Sequence, residues 1–305
     1  MDMYSPVVLV TDLDGTYLEA DGELASTHDE FARSLEDRGI EFIVATNRSP
    51  HNVAQKFASH GSFYAVCSDG ATTIKVTDGE WRVVAEAGLG AMASTRVSRA
   101  MLECATPREL FLFSSAERAF AVYHYTPDGS DESLRVFTEN LGDPRPICRI
   151  DTIGAASDLL VDNGLLAVSW FAPKEQVEYG RARIQSLLNE EVSTRFYAET
   201  RIKIGAQEQT FWWLDILSLN ANKGYALKKL WDLTAPDIPL VVALGDGDND
   251  VSLFSVADLS YCPITASPAA RESATHVLPY QGGGEFIRAV AERLLSDLAL
   301  RRGGP

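Results

Sequence analysis

Two short acidic clusters hold the residues of this chain that are best suited to chemistry. The first, Asp12-Leu13-Asp14-Gly15-Thr16, directly follows an apolar run at 7–10. The second, Gly245-Asp246-Gly247-Asp248-Asn249-Asp250, follows another apolar run at 240–244. In such a cluster one carboxylate could attack an electrophile while its neighbour carries a proton. Carboxylates that lie close together repel one another unless a cation joins them, and oxygen ligands favour Mg²⁺ over zinc or copper.

Simpler interpretations of the two clusters also exist. An Asp-x-Asp-Gly segment taken alone is most often a surface turn. A calcium loop of the EF-hand type that began at Asp246 would need glycine in place of Val251 and glutamate in place of Ala257. Because both requirements fail, the second cluster does not fit such a loop.

Polar groups at two further points could complete a phosphate site. Thr46 and Asn47 follow the apolar run at 42–45, and Lys223 opens a helical segment after Asn220-Ala221-Asn222. A hydroxyl, backbone N–H groups and an ammonium that meet near the carboxylates would hold the oxygens of a phosphoryl group. Each signal is weak alone, since a threonine after a strand is usually a helix cap and a lysine at a helix start is usually solvated.

The elements that must position these residues follow an α/β pattern. Short apolar runs rich in β-branched residues predict buried strands at 7–10, 42–45, 63–67 and 240–244. Amphipathic stretches predict helices at 29–38, 50–60, 223–231 and 285–298. This alternation is typical of a Rossmann-like parallel sheet with helices on both faces. Such sheets bind ligands at the carboxyl ends of their strands, where both acidic clusters lie.

The middle of the chain has a different pattern of predicted helices and strands. A helix is predicted at 91–105 and another at 175–188, while strands are predicted at 110–113, 119–123, 165–171, 192–197 and 211–216. Helices mixed with adjacent, hairpin-like strands favour an α+β arrangement. We therefore predict a core domain formed by 1–84 and 218–305, with an α+β domain inserted at 85–217.

Composition limits the function classes. The 305 residues include 27 Lys and Arg against 43 Asp and Glu, a formal net charge of −16, and 46% are hydrophobic. This composition is globular, and its acidity disfavours nucleic acid and anionic membrane surfaces as partners. No apolar run approaches the roughly 20 residues of a membrane helix, and no basic leader precedes the first apolar run, so the protein is expected to be soluble and cytoplasmic. Composition predicts no particular oligomeric state.

The cysteine spacing predicts no metal or disulfide framework. The gaps between successive cysteines match no zinc motif, and four cysteines in 305 residues are too few for a disulfide scaffold. We expect buried free thiols at Cys67, Cys104, Cys148 and Cys262.

Taken together, the four polar segments resemble the motifs of the haloacid dehalogenase superfamily of phosphohydrolases. They match its DxDGT segment, a Thr that ends the next strand, a Lys, and a GDxxND segment, here Asp12 to Thr16, Thr46, Lys223 and Gly245 to Asp250. The resemblance spans residues 7–258 of the core. The insertion looks like the type IIB (C2B) cap of the Cof-like branch, which also contains sucrose-phosphate phosphatases. The segment Asp215-Ile216-Leu217, which precedes Asn222-Lys223-Gly224, is similar to the segment that precedes the lysine in that branch.

The resemblance implies a role for each matching residue. Asp12 would be the nucleophile, and Asp14 the acid that protonates the leaving oxygen and later activates water. The implied phosphate-binding residues are Gly15, Thr46, Asn47, Lys223 and Asn249. The implied Mg²⁺ ligands are Asp12, the backbone carbonyl of Asp14, Asp246 and Asp250. The resemblance therefore implies an Mg²⁺-dependent phosphatase of a small phosphorylated metabolite, with a sugar phosphate favoured, whose cap closes over the site and recognises the leaving group.

Two segments depart from the family pattern. Asn47-Arg48 stands where Cof-like relatives often have Gly-Arg, and Cys262-Pro263-Ile264-Thr265-Ala266-Ser267 replaces a segment with glycine and asparagine. The first change is expected to alter phosphate contacts slightly and the second to reshape the pocket wall. Neither removes a group with an implied catalytic role.

Other functions compete with hydrolysis. The segment Gly88-Leu89-Gly90-Ala91-Met92-Ala93 nominally matches a dinucleotide-binding GxGxxA motif. However, it is not followed by a βαβ unit whose second strand ends in an acidic residue. A phosphosugar mutase would use the same aspartate, and a silent binding module would keep the fold without turnover. Aromatic residues on the inserted strands could stack on a sugar, but more often such residues fill a core; they are Trp170, Tyr197, Phe211, Trp212 and Trp213.

Overall fold

The chain divides into two compact units, each built around one sheet. The first comprises Met1–Ala85 and Asn222–Pro305, and the second comprises Glu86–Ala221. The structure is a computed structural model. It describes residues 7–24, 28–103, 109–126, 134, 146–161, 164–188, 191–204, 207–234 and 240–302.

The strands and helices of the described residues are numbered here in chain order. The strands are β1 Val7–Thr11, β2 Ile40–Ala45, β3 Ser62–Cys67, β4 Thr72–Thr77, β5 Glu80–Glu86, β6 Glu109–Ser114, β7 Val122–Tyr125, β8 Ile147–Ile150, β9 Leu165–Ala172, β10 Val192–Ile204, β11 Gln207–Ser218, β12 Leu240–Leu244, β13 Leu259–Pro263 and β14 His276–Leu278. The helices are α1 His28–Glu36, α2 Pro50–Lys56, α3 Ala91–Glu103, α4 Ile153–Val161, α5 Lys174–Leu188, α6 Lys223–Thr234, α7 Val251–Phe254, α8 Pro268–Ser273 and α9 Gly284–Arg302.

The sheet of the first unit confirms the predicted α/β fold. Its strand order is β14-β13-β12-β1-β2-β3-β4-β5. β1 pairs in parallel with both β12 and β2, so the carboxyl ends of these three strands lie side by side. β4 was not predicted, and it runs antiparallel to β3 because only a short turn at 68–71 separates the two strands. β4 therefore adds an antiparallel strand to the predicted parallel ones.

Helices cover both faces of this sheet because β1 is apolar on both of its faces. Leu9 packs in one buried cluster with Phe57 and Phe286, on the side of α9. Val10, pointing the other way, packs in a second cluster with residues of α6 and α7. Each fully buried aliphatic side chain contributes roughly 1.5–3 kcal/mol. This burial fixes β1 at the centre of the sheet and thereby fixes the position of the residues that follow it.

The second unit is an α+β arrangement. Its sheet has the order β10-β11-β9-β6-β7-β8, and β6 pairs antiparallel with β7 as the predicted hairpin requires. The second hairpin strand begins at Val122, not at Ala119, because Ala119 and Phe120 adopt positive φ angles in the turn. The helices α3, α4 and α5 supply residues to one buried cluster with β6, β9 and β11. The short elements β8 and α4 were not predicted.

The dinucleotide-binding interpretation of residues 88–93 is wrong. β5 belongs to the eight-stranded sheet, whereas β6, the strand after α3, belongs to the six-stranded sheet. A dinucleotide site needs both strands side by side in one sheet with the helix between them. The segment instead leads into α3, which begins at Ala91.

The expectations for the cysteines and for the aromatic residues of the second unit are confirmed only in part. Cys67 and Cys262 are buried free thiols as expected, but Cys148 is exposed because it lies on β8, an edge strand. Trp170 and Phe211 are core residues, and Trp212 and Trp213 are half-buried. Cys104 and the side chain of Tyr197 lie outside the described residues. Among the described helices, none has the length and apolar character needed to cross a membrane.

Asp215 gives the second unit a testable pH dependence. Its carboxylate accepts a hydrogen bond from Ser169, and burial raises its pKa to about 6. A folded-state pKa above the unfolded value means that the wild-type protein loses stability as the pH rises through about 4 to 6. We expect the stability of Asp215→Asn relative to wild type to increase by up to about 3 kcal/mol between pH 4 and pH 7. Urea unfolding of both proteins across this range measures the difference, and a constant difference would contradict the raised pKa.

Candidate active site

Asp12 occupies the first position beyond β1. Its backbone N–H donates to the carbonyl of Leu244 at 2.9 Å, so the ladder between β1 and β12 continues to this residue. Asp12 is only 6% exposed. A carboxylate in this position is expensive to bury unless charged or polar partners compensate it. Asp12 is thus held rigidly at the carboxyl edge of the sheet by β-strand hydrogen bonding.

Lys223 supplies the compensating charge. Its Nζ donates to Oδ1 of Asp12 and to Oδ1 of Asp250, each at 2.6 Å, and Lys223 is fully buried. Burial alone would lower the pKa of the ammonium, but the two carboxylates outweigh burial and raise that pKa. Lys223 therefore remains charged throughout the physiological pH range and links the two acidic clusters.

Asp250 organises the loop that follows β12. Its Oδ2 accepts hydrogen bonds from the backbone N–H groups of Asp246 and Gly247, both at 2.9 Å. Its Oδ1 is the oxygen bound by Lys223. Both oxygens of Asp250 thus already have partners, and this side chain positions Lys223 and Asp246.

Asp246 connects the second acidic cluster to the first. Its Oδ1 accepts a hydrogen bond from Thr16 Oγ1 at 2.8 Å, which ties the loop after β12 to the turn after β1. Oxygens of Asp12, Asp246 and Asp250 lie within 4.8 Å of one another. Burial raises the pKa values of Asp12 and Asp246, with Lys223 opposing the rise at both.

The donor set of this cluster fits a hard divalent cation. Three carboxylates against the one Lys223 ammonium leave two negative charges without a cationic partner in the cluster. The second oxygen of Asp12 and Oδ2 of Asp246 accept no hydrogen bond from the described residues, so they are available to a metal. Oxygen-only donors of this kind suit Mg²⁺ and exclude a thiolate- or imidazole-type zinc site.

The turn after β1 is built to approach Asp246 closely. Gly15 has φ +78°, and a Cβ at this position would lie 2.4 Å from Oδ2 of Asp246. The backbone of Gly282 packs against the same turn, because a Cβ on Gly282 would lie only 1.9 Å from the carbonyl oxygen of Gly15. Backbone N–H groups of Leu13, Asp14 and Gly15 find no acceptor within the described part of the chain. The turn therefore offers free donors beside Asp12, as anion-binding turns do.

The predicted phosphate-binding residues differ in their burial and in their contacts. Thr46 is buried where β2 ends, and its Oγ1 accepts a hydrogen bond from the N–H of Arg48 at 3.1 Å. Lys223 and Gly15 lie at the carboxylate cluster. Asn47 is exposed, and its side chain makes no hydrogen bond with the described residues. Asn249 donates to Oδ1 of Asp69 at 2.8 Å, so its amide is held by a neighbour that the sequence did not identify.

Asp69 and Arg48 are the site neighbours that the sequence analysis missed. Asp69 is buried after β3 and has φ +56°, an unusual conformation for a residue other than glycine. The Asp-Gly pair at 69–70 signals a turn, but nothing local indicates its contact with Asn249. Arg48 was noted only as a family position. It donates from Nε and Nη2 to the two oxygens of Asp14 at 2.8 and 2.6 Å.

The fold and the carboxylate cluster together define the class of protein. A family model for haloacid dehalogenase-like hydrolases matches residues 9–282. The chain belongs to the haloacid dehalogenase-like hydrolases, which confirms the predicted family.

Curated relatives are similar over a limited stretch. A phosphoglycolate phosphatase of Picrophilus torridus is 41% identical over 64 residues, which are 21% of this chain and 27% of the relative. A putative phosphatase of Mycoplasma pneumoniae is 38% identical over 74 residues, which are 24% of this chain and 26% of the relative. The chain thus matches about a quarter of the length of these relatives.

Solved structures share the fold over nearly the whole chain. TM0651 from Thermotoga maritima aligns with a TM-score of 0.71 at 17% identity and covers 95% of this chain and 97% of its own. The subclass IIB sugar phosphatase BT4131 aligns with a TM-score of 0.67 at 14% identity and covers 95% and 99%. At these identities the likeness establishes the fold: a Rossmann-like core with an α+β insertion.

Proposed function

We propose that this protein is an Mg²⁺-dependent phosphatase that acts on a small phosphorylated metabolite, a sugar phosphate being the favoured case, through a phospho-aspartyl intermediate. The observation that carries the proposal is the buried Asp12 carboxylate, held 2.6 Å from the Lys223 ammonium beside Asp246. The family and its phosphatase-named relatives support the same activity. The cytoplasmic location stays a prediction.

Asp12 is proposed to act as the nucleophile. Phosphoryl transfer depends on alignment and on neutralising charge, which Lys223 and the free N–H groups of the turn after β1 provide. Thr46, Gly15, Asn47 and Asn249 complete the proposed phosphate-binding set. The proposed metal ligands are Asp12, the carbonyl of Asp14, and Asp246, with Asp250 as a ligand or a support. Bound there, Mg²⁺ would neutralise phosphoryl charge as a Lewis acid.

Asp14 is proposed to carry protons in both half-reactions. An oxygen of Asp12 bonds to phosphorus as the ester P–O bond breaks, and the leaving oxygen takes a proton from Asp14. Water then attacks phosphorus and gives a proton to Asp14, while the bond between Asp12 and phosphorus breaks. Inorganic phosphate and the free alcohol leave, and both aspartates return to their starting states. The exposure of Asp14, with 56% of its side chain accessible, suits contact with a leaving group and with water.

The second unit, 86–221, is proposed to be the cap that recognises the leaving group. It is an α+β insertion in the position of the family's cap, between Thr46 and Lys223 in the chain. A net charge of −16 repels anionic substrates, so the local cations must attract the phosphate. Because all phosphate esters share the phosphoryl group, selection among them is proposed to depend on the leaving group.

A phosphate-release screen tests the proposed function. Sugar phosphates, nucleotides and cofactor phosphates are each incubated with the protein, with Mg²⁺ or with excess chelator. We expect Mg²⁺-dependent release, fastest with a sugar phosphate, and complete loss with chelator. Recovery of an isomeric sugar phosphate without free phosphate would show a mutase instead. Saturable ester binding with no chemical change would show a binding module.

Gly15→Ala should damage this site specifically. The new methyl group would overlap Oδ2 of Asp246 at 2.4 Å, and the positive φ strains any residue other than glycine. A displacement of about 1 Å at a catalytic group can cost about 100-fold, so we expect a loss of that size in kcat/KM for phosphate release, together with weaker Mg²⁺ binding in calorimetry.

Gly39→Ala is the matched control for Gly15→Ala. Gly39 also has a positive φ, +65°, but nothing lies within 4 Å of its added Cβ. This variant should lose about 1 kcal/mol of stability from backbone strain and keep wild-type kcat/KM. Equal losses of activity in the two variants would contradict a specific role for the close approach of Gly15 to Asp246.

A further inference from the structure

Arg48 makes a three-point contact that the proposed mechanism does not yet use. Its Nε donates to Oδ2 of Asp14 at 2.8 Å and its Nη2 donates to Oδ1 of Asp14 at 2.6 Å. Its Nη1 donates to Oδ1 of Asn52 at 2.8 Å. A bidentate guanidinium–carboxylate pair fixes the orientation of both groups as well as their separation.

We propose that Arg48 is a positioning residue for Asp14: its guanidinium holds the carboxylate in the orientation needed for proton transfer to the leaving group and from water. The inference rests on the proposed function, because it concerns the proton carrier of that reaction.

Asp14 needs such a support because its backbone does not supply one. It lies in the turn after β1, and 56% of its side chain is accessible, so packing does not select its rotamer. Asp12, two residues earlier, is by contrast buried and held by Lys223. A proton carrier that is misplaced by a rotamer change loses hydrogen-bond reach to the leaving oxygen.

Arg48 is itself well anchored. Its backbone N–H donates to Thr46 Oγ1 at 3.1 Å, and its carbonyl accepts from the N–H of Ser68 at 2.9 Å. Asn52, its third contact, is buried in the first turn of α2, which Ser49 caps. Only 20% of the Arg48 side chain is accessible. Arg48 therefore links the exposed side chain of Asp14 to the end of β2 and the start of α2.

The contact does not depend on one oxygen of Asp14 alone. The guanidinium donates to both carboxylate oxygens. When Asp14 has taken a proton, one oxygen becomes a donor, and the other can still accept from Arg48. Arg48 thus orients Asp14 when Asp14 acts as the base that activates water. It keeps one contact with Asp14 when Asp14 is the acid that protonates the leaving group.

A direct contact of Arg48 with the phosphoryl group is the competing role. An arginine that only stabilised phosphoryl charge would affect every phosphate ester by a similar factor. An arginine that acts through Asp14 matters most where the leaving oxygen needs a proton. Phenyl phosphate has a basic leaving group, whereas 4-nitrophenyl phosphate releases a stabilised anion that needs little protonation.

The experiment compares kcat/KM for these two esters in wild type, Arg48→Gln and Arg48→Lys. For Arg48→Gln we expect a loss of about 10- to 100-fold with phenyl phosphate, a part of the usual contribution of general acid catalysis, and a loss under about threefold with 4-nitrophenyl phosphate. Arg48→Lys keeps the charge but cannot form the bidentate pair, so it should restore activity only in part.

A double-variant cycle separates action through Asp14 from independent action. Asp14→Asn should show a larger selective loss with phenyl phosphate, and Asp14→Asn/Arg48→Gln should be no worse than Asp14→Asn alone. Lys56→Gln is the control. It removes another cation, the last residue of α2, whose half-buried side chain pairs with the exposed Glu23 at 3.4 Å. This variant should leave both rates unchanged.

The outcomes discriminate between the inference and the proposed function. Equal losses on the two esters, full rescue by lysine, or additive losses in the double variant would each overturn the positioning role while leaving the phosphatase proposal intact. Absence of Mg²⁺-dependent phosphate release from both esters by the wild-type protein would instead overturn the proposed function and this inference with it.

Discussion

Asp12→Asn is expected to lower kcat for phosphate release by roughly 10⁴-fold or more, while the variant still binds phosphate esters. An amide oxygen is too weak a nucleophile to form the bond to phosphorus, so the covalent intermediate cannot form. Binding should survive, because Lys223 keeps its partner Asp250 at 2.6 Å and the free N–H groups of the turn after β1 are unchanged.

The measurements for Asp12→Asn are steady-state phosphate release and equilibrium binding of a non-hydrolysed phosphate analogue. Rapid-quench kinetics add a direct readout, since wild type should show a burst of alcohol release and the variant none. Asp37→Asn, an exposed aspartate after α1, is the control and should match wild type. Restoration of turnover by raised Mg²⁺ would mean that Asp12 serves only as a metal ligand, and substantial turnover without added metal would refute the nucleophile assignment.

The sheet of the first unit was predictable because its strands are apolar on both faces. Nearly every residue of β1 and β12 is buried, and so are most residues of β2 and β3. A central strand covered by helices provides that burial. The polar residues at the ends of those strands then had to lie at one edge. Local composition therefore sufficed to predict the neighbourhood of Asp12, Thr46 and Asp246.

The supporting contacts were not predictable because they join distant residues through side-chain directions. Arg48 reaches Asp14 across 34 positions, and Asn249 reaches Asp69 across 180. The Asp69 contact also depends on a left-handed backbone at a residue other than glycine, which only the surrounding packing can enforce. Nothing in the spacing of these residues indicates either contact.

The second unit was harder to predict because two of its strands, β7 and β8, have only four residues each and β8 is mostly exposed. β8 has four residues and lies at an edge, so it lacks the apolar run that marks a central strand. The turn includes Phe120, a residue type that favours strands, and the positive φ angles of Ala119 and Phe120 arise from the turn and not from their own propensities. The hairpin was therefore confirmed while its boundary was wrong.

Lys223→Met is expected to abolish phosphate release and also to destabilise the first unit by about 3–5 kcal/mol. Lys223 is fully buried between Asp12 and Asp250, so its removal leaves two close carboxylates without their shared cation. Breaking a buried ion pair from one side costs this much because the remaining charge stays desolvated. The loss of activity follows independently, since the phosphoryl group would lose its fixed positive partner.

Hydrogen exchange of peptides from β1 and β12 measures the stability of this unit apart from the second one. Lys228→Met, on the exposed side of α6, is the matched control and should stay within about 0.5 kcal/mol of wild type. The double variant Lys223→Met/Asp250→Asn removes one of the stranded charges, so it should regain part of the stability while remaining inactive. If the double variant recovered activity as well as stability, Lys223 would serve only to neutralise Asp250. Removing the charge of Asp250 cannot replace an ammonium that also binds the phosphoryl oxygens.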